Sequence, residues 1–187
     1  IFGEGRWWTI LSAAWLHGGI LHIGFNLYWL RSLGSQVSTI LGPGRTVIIY
    51  TAGAAAGFLG TSLMFFVRIP YLQGAEVTLG ASASLCGLVG GLYAYAQKSG
   101  NQWIQNYVKQ FAISMLIIGI VVQVIDNWAH VFGFLGGYVA ARLMRPLEDE
   151  TPRHLVGALL CMAAFVLAII VSVIDGWPLY QLFVAQR

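Results

Sequence analysis

Apolar positions in this chain run in long tracts, and polar positions gather in the gaps between them. Six tracts are long enough to cross a bilayer as helices: Gly19–Leu41, Thr46–Val67, Leu79–Gln97, Tyr107–Ile125, Trp128–Met144 and Leu155–Ile174. A spanning helix needs about 17 to 25 such residues, because every backbone polar group must be satisfied inside the segment. Turn signals separate the tracts. Gly42-Pro43-Gly44 ends the first and Arg68-Ile69-Pro70 the second. A loop with Gln73, Gly74 and Glu76 leads into the third, and Lys98-Ser99-Gly100-Asn101 follows it. Asp126-Asn127 leaves only a tight connection after the fourth, and the charged stretch Arg145–His154 precedes the sixth. Residues 1–18 are aromatic and half polar, with Trp7, Trp8 and Trp15, which suits a segment lying among lipid headgroups. The expected fold is all-α: a polytopic transmembrane helical bundle of about six spans, one membrane domain over residues 1–187. Its parts are the interfacial segment 1–18, core helices 19–144, a charged loop 145–154 and a further C-terminal helix 155–174.

Composition agrees. Hydrophobic residues make up 58% of the chain and charged ones 9%, with a mean hydropathy of +0.74. Soluble domains carry about 25% charged residues, so this chain is expected in a bilayer. The net charge of +3 comes from few residues, which points to loop asymmetry and to no nucleic-acid partner. Arg45, Lys98, Lys109, Arg142, Arg145 and Arg153 share one side, with Arg31 close by, and Arg6, Arg68 and Arg187 the other. The richer side is expected to be cytoplasmic, which puts the 145–154 loop inside and the Gln73–Val77 loop outside. Cys86 and Cys161 fall inside apolar tracts and read as buried thiols.

The chemistry concentrates around Thr78–Gly91. Gly80, Ser84, Gly87 and Gly91 recur at spacings of three and four, a small-residue face that lets another helix approach to backbone contact. Gly133 and Gly137 offer a matching face. Ser82 stands beside this seam. His22, Asn26, Ser82 and His130 lie at one depth near the outer ends of three tracts, and such polar groups are costly in a membrane unless paired or used. A serine needs a base to become a nucleophile, and His130 can supply it. An oxyanion needs preorganised donors, and His22 and Asn26 can supply those. Asp126, one turn before His130, reads either as a third member orienting the ring or as a loop cap. Competing uses are a metal site of His17, His22 and His130, and a structural polar knot joining three helices. No HExxH motif occurs and no acidic residue falls within any tract, so neither metal nor other cofactor is expected.

With these residues assembled, the chain resembles the rhomboid intramembrane serine proteases from Trp7 to about Met144. The HxxxN element reads His22-Ile23-Gly24-Phe25-Asn26, preceded by His17-Gly18-Gly19. The GxSx element reads Gly80-Ala81-Ser82-Ala83, and the histidine element Ala129-His130-Val131-Phe132-Gly133. The resemblance implies Ser82 as nucleophile, His130 as general base, and an oxyanion site from His22, Asn26 and the Ser82 backbone N–H. It implies a dyad without a carboxylate, and substrates that are transmembrane proteins met within membrane lipid. Serine and histidine sit on the family's fourth and sixth core helices but here on the third and fifth tracts, so its first helix is expected before Ile1. The sixth tract is then the extra C-terminal helix of six-plus-one members. Thr9, Gln36, Ala83 and Cys86 depart from the residues usual at their positions. The runner-up reading is therefore an inactive or structural relative that binds transmembrane helices, within a larger membrane complex. A bacterial inner membrane is the expected location.

Overall fold

Helix boundaries in this chain are set by caps and turns as much as by hydropathy. The computed structural model describes residues 5–67, 74, 75, 77–122 and 125–185. The turn at 68–70, Gln73 and Glu76 of the loop that follows, and Arg187 lie outside the described residues. Among those described, the helices are α1 (Thr9–Ser12), which runs into a 3-10 turn at Ala13–Trp15, α2 (Ile20–Leu41) and α3 (Pro43–Met64). After the loop come α4 (Ser82–Ser99), α5 (Gln102–Val121), α6 (Asn127–Leu143) and α7 (Pro152–Ala185). Every one of the six expected tracts is helical, no strand occurs among the described residues, and the fold class is all-α as expected.

The boundaries differ where polar residues start or end a helix. Asn101 accepts the Ile104 N–H at 3.0 Å, so α5 begins at Gln102, five residues before the apolar tract does. Thr151 and His154 bond reciprocally at the start of α7: the Thr151 N–H donates to His154 Nδ1 at 3.1 Å and the His154 N–H to the Thr151 carbonyl at 2.9 Å. At its other end α7 continues past Ile174 to Ala185, with Pro178 inside it. That extension takes in Asp175, so the expectation that no acidic residue falls within a span is corrected. The Asp175 carboxylate lies 3.0 Å from Arg6 Nε on the N-terminal segment, and the Ser172 hydroxyl donates to Ser12 Oγ at 2.7 Å nearby. These partners offset the cost of polar groups there.

Among the described residues, three helices are long and apolar enough to cross a membrane by themselves: α3, α5 and the Pro152–Pro178 part of α7. The α1 segment and α2, which meet at 97°, would together make a fourth. Helices α4 and α6 have 18 and 17 residues and are rich in Gly and Ala. Small residues lower their hydropathy because they face other helices instead of lipid. Twelve residues of α4, from Ala83 to Ala96, are buried.

The core is a three-helix seam. A Cβ added to Gly133 or Gly137 of α6 would collide with the backbone of Ala83 or Gly87 in α4. Gly91 meets Ile49 of α3 as well as Ala141 of α6, and Gly90 takes the Phe134 carbonyl. Helix α3 closes the seam from the other side: a Cβ on Gly53 would sit 2.8 Å from Gly87 Cα, and one on Gly57 2.7 Å from the Ala129 carbonyl. The α4–α6 contact is thus as expected through Gly87, Gly133 and Gly137, with α3 added to it.

At the opposite end of the bundle from Ser82, the charged stretch is folded into the protein. Arg45, only 3% exposed, donates through Nη1 to the Leu41 and Glu148 carbonyls at 3.3 and 2.6 Å. Its Nη2 donates to the Asp149 carbonyl at 2.9 Å. The Glu150 carboxylate accepts the Arg45 N–H at 2.7 Å, placing negative charge on the N-terminus of α3. Gly42 and Gly44 leave room for that carboxylate and for the His154 backbone, which any side chain there would strike.

Candidate active site

Ser82 is the first residue of α4, and the loop before it is shaped by Gly80. Gly80 adopts φ 117°, a conformation that L side chains rarely take, and its N–H donates to the Ala13 carbonyl at 3.0 Å. A Cβ there would also lie 2.6 Å from His22 Nε2. Glycine is required at this position twice over, for its dihedral and for its neighbour.

His130 stands in the first turn of α6, 8% exposed, and its Nε2 is 2.9 Å from Ser82 Oγ. The two side chains come together because α4 and α6 both begin at this level and their backbones touch at Ala83, Gly87, Gly133 and Gly137. With Ser82 donating its hydroxyl proton to Nε2, the neutral ring carries its own proton on Nδ1. No described residue hydrogen-bonds that Nδ1.

His22 is reached from the other side. Its Nδ1 accepts the Gly18 N–H at 3.3 Å, so the neutral ring carries its proton on Nε2, the atom that faces Gly80. Asn26, one turn along α2, is 6% exposed, and its Nδ2 has no partner among the described residues. That Nδ2 lies 3.5 Å from where a Cβ on Gly80 would be. Two side-chain donors therefore come close to Gly80, two residues before Ser82. The Ser82 N–H, at the first turn of α4, belongs to the group of amides a helix leaves without an internal acceptor. The four residues singled out from the sequence are brought together.

The neighbours of the cluster behave differently. Asp126 caps α6, its Oδ1 accepting the Ala129 N–H at 3.1 Å. Of the two uses open to it in the sequence, the cap is the one observed. His17 packs edge-to-face on His22 with ring centroids 5.0 Å apart. It does not join His22 and His130 in a metal-binding group, and no three His, Cys, Asp or Glu side chains gather among the described residues. Thr9 holds a turn in the N-terminal segment by donating to the Arg6 carbonyl at 2.7 Å. Gln36 is exposed and reaches only Ser32, at 3.5 Å.

Cys86, 6% exposed, sits one turn after Ser82 along an apolar cavity of about 260 Å³ between α4, α5 and α6. His130, Asn127, Val89, Phe111, Leu116 and Phe134 are among the residues that line it. Sequence reasoning missed this cavity and Asn127. It also missed the part of Gly57, whose only signal was the Gly and Ala content of its tract.

Chemically the arrangement is a hydroxyl beside an imidazole, the pairing used for acyl transfer, with the His22 and Asn26 side chains close to Gly80. A family model described as the Rhomboid domain matches residues 4–147 of the chain. Rhomboid protease GluP of Bacillus subtilis (strain 168) is 31% identical over 167 residues, covering 87% of this chain and 31% of that protein. RHOMBOID-like protein 5 of Arabidopsis thaliana is 32% identical over 152 residues, 76% of this chain and 46% of that one. Inactive RHOMBOID-like protein 8 of the same plant is 28% identical over 155 residues, 79% of this chain and 42% of that one. The chain spans less than half the length of each of these relatives. The family match covers the whole path from the N-terminal segment through α6, site included, and the chain belongs to the rhomboid family.

Proposed function

We propose that this chain is an intramembrane serine protease that cleaves transmembrane proteins with a Ser82–His130 dyad. The observation that carries the reading is the 2.9 Å between Ser82 Oγ and His130 Nε2. His130 takes the hydroxyl proton as Ser82 attacks the scissile carbonyl, and returns it to the leaving amine. His22 Nε2–H, Asn26 Nδ2–H and the Ser82 N–H hold the oxyanion of the tetrahedral intermediate. Water then repeats the sequence on the acyl-enzyme. A substrate helix must unwind locally to present its carbonyl, because an intact helix keeps its carbonyls hydrogen-bonded. A fluorophosphonate probe tests the dyad on the protein in lipid. Ser82 should be labelled, and Ser82→Ala and His130→Ala should each abolish labelling, with no further loss in the double variant. No labelling of the wild type would favour the second reading, a non-catalytic member that binds transmembrane helices. That reading draws on Cys86 at a position where an aromatic is usual and on a relative named inactive.

The Lys and Arg asymmetry supports an orientation with the 145–154 loop in the cytoplasm and the dyad a short way below the outer surface. A cysteine at position 148 should then resist an impermeant thiol reagent added to intact cells. Labelling from outside would reverse the orientation.

A further inference from the structure

The segment before α2 touches the site at two points and cannot hold itself in place. Its Ala13 carbonyl accepts the Gly80 N–H at 3.0 Å, and its Gly18 N–H donates to His22 Nδ1 at 3.3 Å. Between Arg6 and Leu16 its regular structure is one four-residue helix and one 3-10 turn. Helices so short gain too few hydrogen bonds to offset the cost of ordering them, so the segment takes its position from what it packs on.

Two helices flank it. Helix α3 meets it with apolar side chains: Ala54 and Phe58 share a buried cluster with Ala13 and Ala14. The same cluster takes in Phe165 of α7, and Ala83 and Ala129, the residues next to Ser82 and His130. Apolar packing is non-directional and sets depth better than rotation. Helix α7 adds direction. The Ser172 hydroxyl donates at 2.7 Å to Oγ of Ser12, a residue only 3% exposed. One turn further on, Asp175 lies 3.0 Å from Arg6 Nε, and Trp15 stands edge-on to Phe165 with ring centroids 5.8 Å apart. Hydrogen bonds weaken steeply as they misalign, so the α7 contacts fix how the segment is turned.

Ser12 immediately precedes Ala13, so one peptide separates the α7 contact from the carbonyl that holds Gly80. Gly80 has little room to move: at φ 117° a Cβ there would lie 2.6 Å from His22 Nε2. A displaced Gly80 peptide alters both its approach to His22 and the path by which the chain enters α4 at Ser82.

We infer that Ser172 of α7 is a positioning residue for the loop that leads to Ser82: through Ser12 it fixes the Ala13 carbonyl, and through that carbonyl the Gly80 peptide. Its effect on rate rests on the proposed dyad, whereas its effect on the Gly80 amide does not.

The test uses the full chain in lipid with Ser172→Val and Ser172→Thr, which match in volume and differ in the hydroxyl. The first readout is fluorophosphonate labelling, separated into maximal rate and probe affinity. Valine should lower the maximal rate about 3- to 10-fold at unchanged affinity, the factor that the net contribution of one hydrogen bond corresponds to. Threonine should label as wild type does. The second readout is hydrogen exchange at the Gly80 amide, followed by NMR. Exchange should quicken about 3- to 10-fold with valine and not with threonine, while the Gly87 and Gly133 amides of the α4–α6 seam keep wild-type rates. Equal behaviour of valine and threonine in either readout overturns the inference. A matching rise at Gly87 and Gly133 also overturns it, because the bundle as a whole would then have loosened. If the wild type does not label at all, the dyad reading fails and the Gly80 exchange rates alone decide this one. If Ser172→Val does not fold, Ser12→Ala deletes the acceptor without altering α7. The same quickened Gly80 exchange there supports the inference, and a wild-type rate overturns it.

Discussion

The two ends of the bundle each carry a buried polar cluster beside a helix N-terminus, and they treat their hydrogen bonds in opposite ways. At the charged end, Arg45 reaches three carbonyls and its own N–H meets the Glu150 carboxylate, leaving only Nε without a partner. At the Ser82 end, Asn26 Nδ2 and His130 Nδ1 are buried and unpaired among the described residues, and His22 presents Nε2 to backbone. Buried polar groups in folded proteins are nearly always satisfied, because each orphan costs about 1 to 3 kcal/mol. A cluster that serves only to join helices has no reason to keep orphans. The charged end meets the description of a structural knot, and the Ser82 end does not. That contrast is the physical argument for chemistry at Ser82 over the structural alternative.

The contrast can be broken by exchanging the expected consequences of mutation. The largest effect should come from Asn26→Ala. Cleavage should slow about 10- to 1000-fold, the usual range for losing one oxyanion donor, while fluorophosphonate labelling persists and thermal stability hardly moves. A large fall in melting temperature would turn Asn26 into a structural residue and erase the distinction. Arg45→Met should do the reverse. Loss of its charge-assisted bonds should cost about 2 to 3 kcal/mol, read as a lower melting temperature, while the folded fraction labels normally. Labelling lost without loss of stability would couple the two ends. Asp126→Asn should do least, since Asn caps a helix about as well as Asp. Labelling and melting temperature should both stay near wild type, within about 0.5 kcal/mol in stability. A severe loss of labelling would make Asp126 a third member after all.

The site itself differs across its width. Ser82 and His130 are fixed by backbone contact among α3, α4 and α6, where no side chain larger than hydrogen fits at Gly53, Gly87 or Gly137. His22 and Asn26 arrive on α2, whose outer half is loosely enclosed: Ile20 is 88% exposed and Phe25 66%. Nucleophile and base are placed by tight packing, and the oxyanion donors by a helix end and the Gly18 and Gly80 backbone.

Much of this was legible in the chain because a bilayer simplifies the reading. Apolar length alone marks helices where backbone groups have no water to turn to, so all six tracts became helices, although α5 starts five residues early and α7 runs on to Ala185. Spacing of small residues then identified the α4–α6 seam, and polar residues inside apolar tracts identified the site, since such residues persist only with a purpose. What hydropathy could not register were events set by single hydrogen bonds: Asn101 starting α5 early, Thr151 and His154 starting α7, and Asp126 choosing the cap. Nor could it reach pairings between distant segments, such as Arg6 with Asp175 or Arg45 with residues 148–150. Local pattern determines which residues form helices and which of their faces are small or polar. Only the tertiary structure decides which polar atoms find partners and which, like His130 Nδ1 and Asn26 Nδ2, have none among the described residues, because that depends on atoms brought close from elsewhere in the chain.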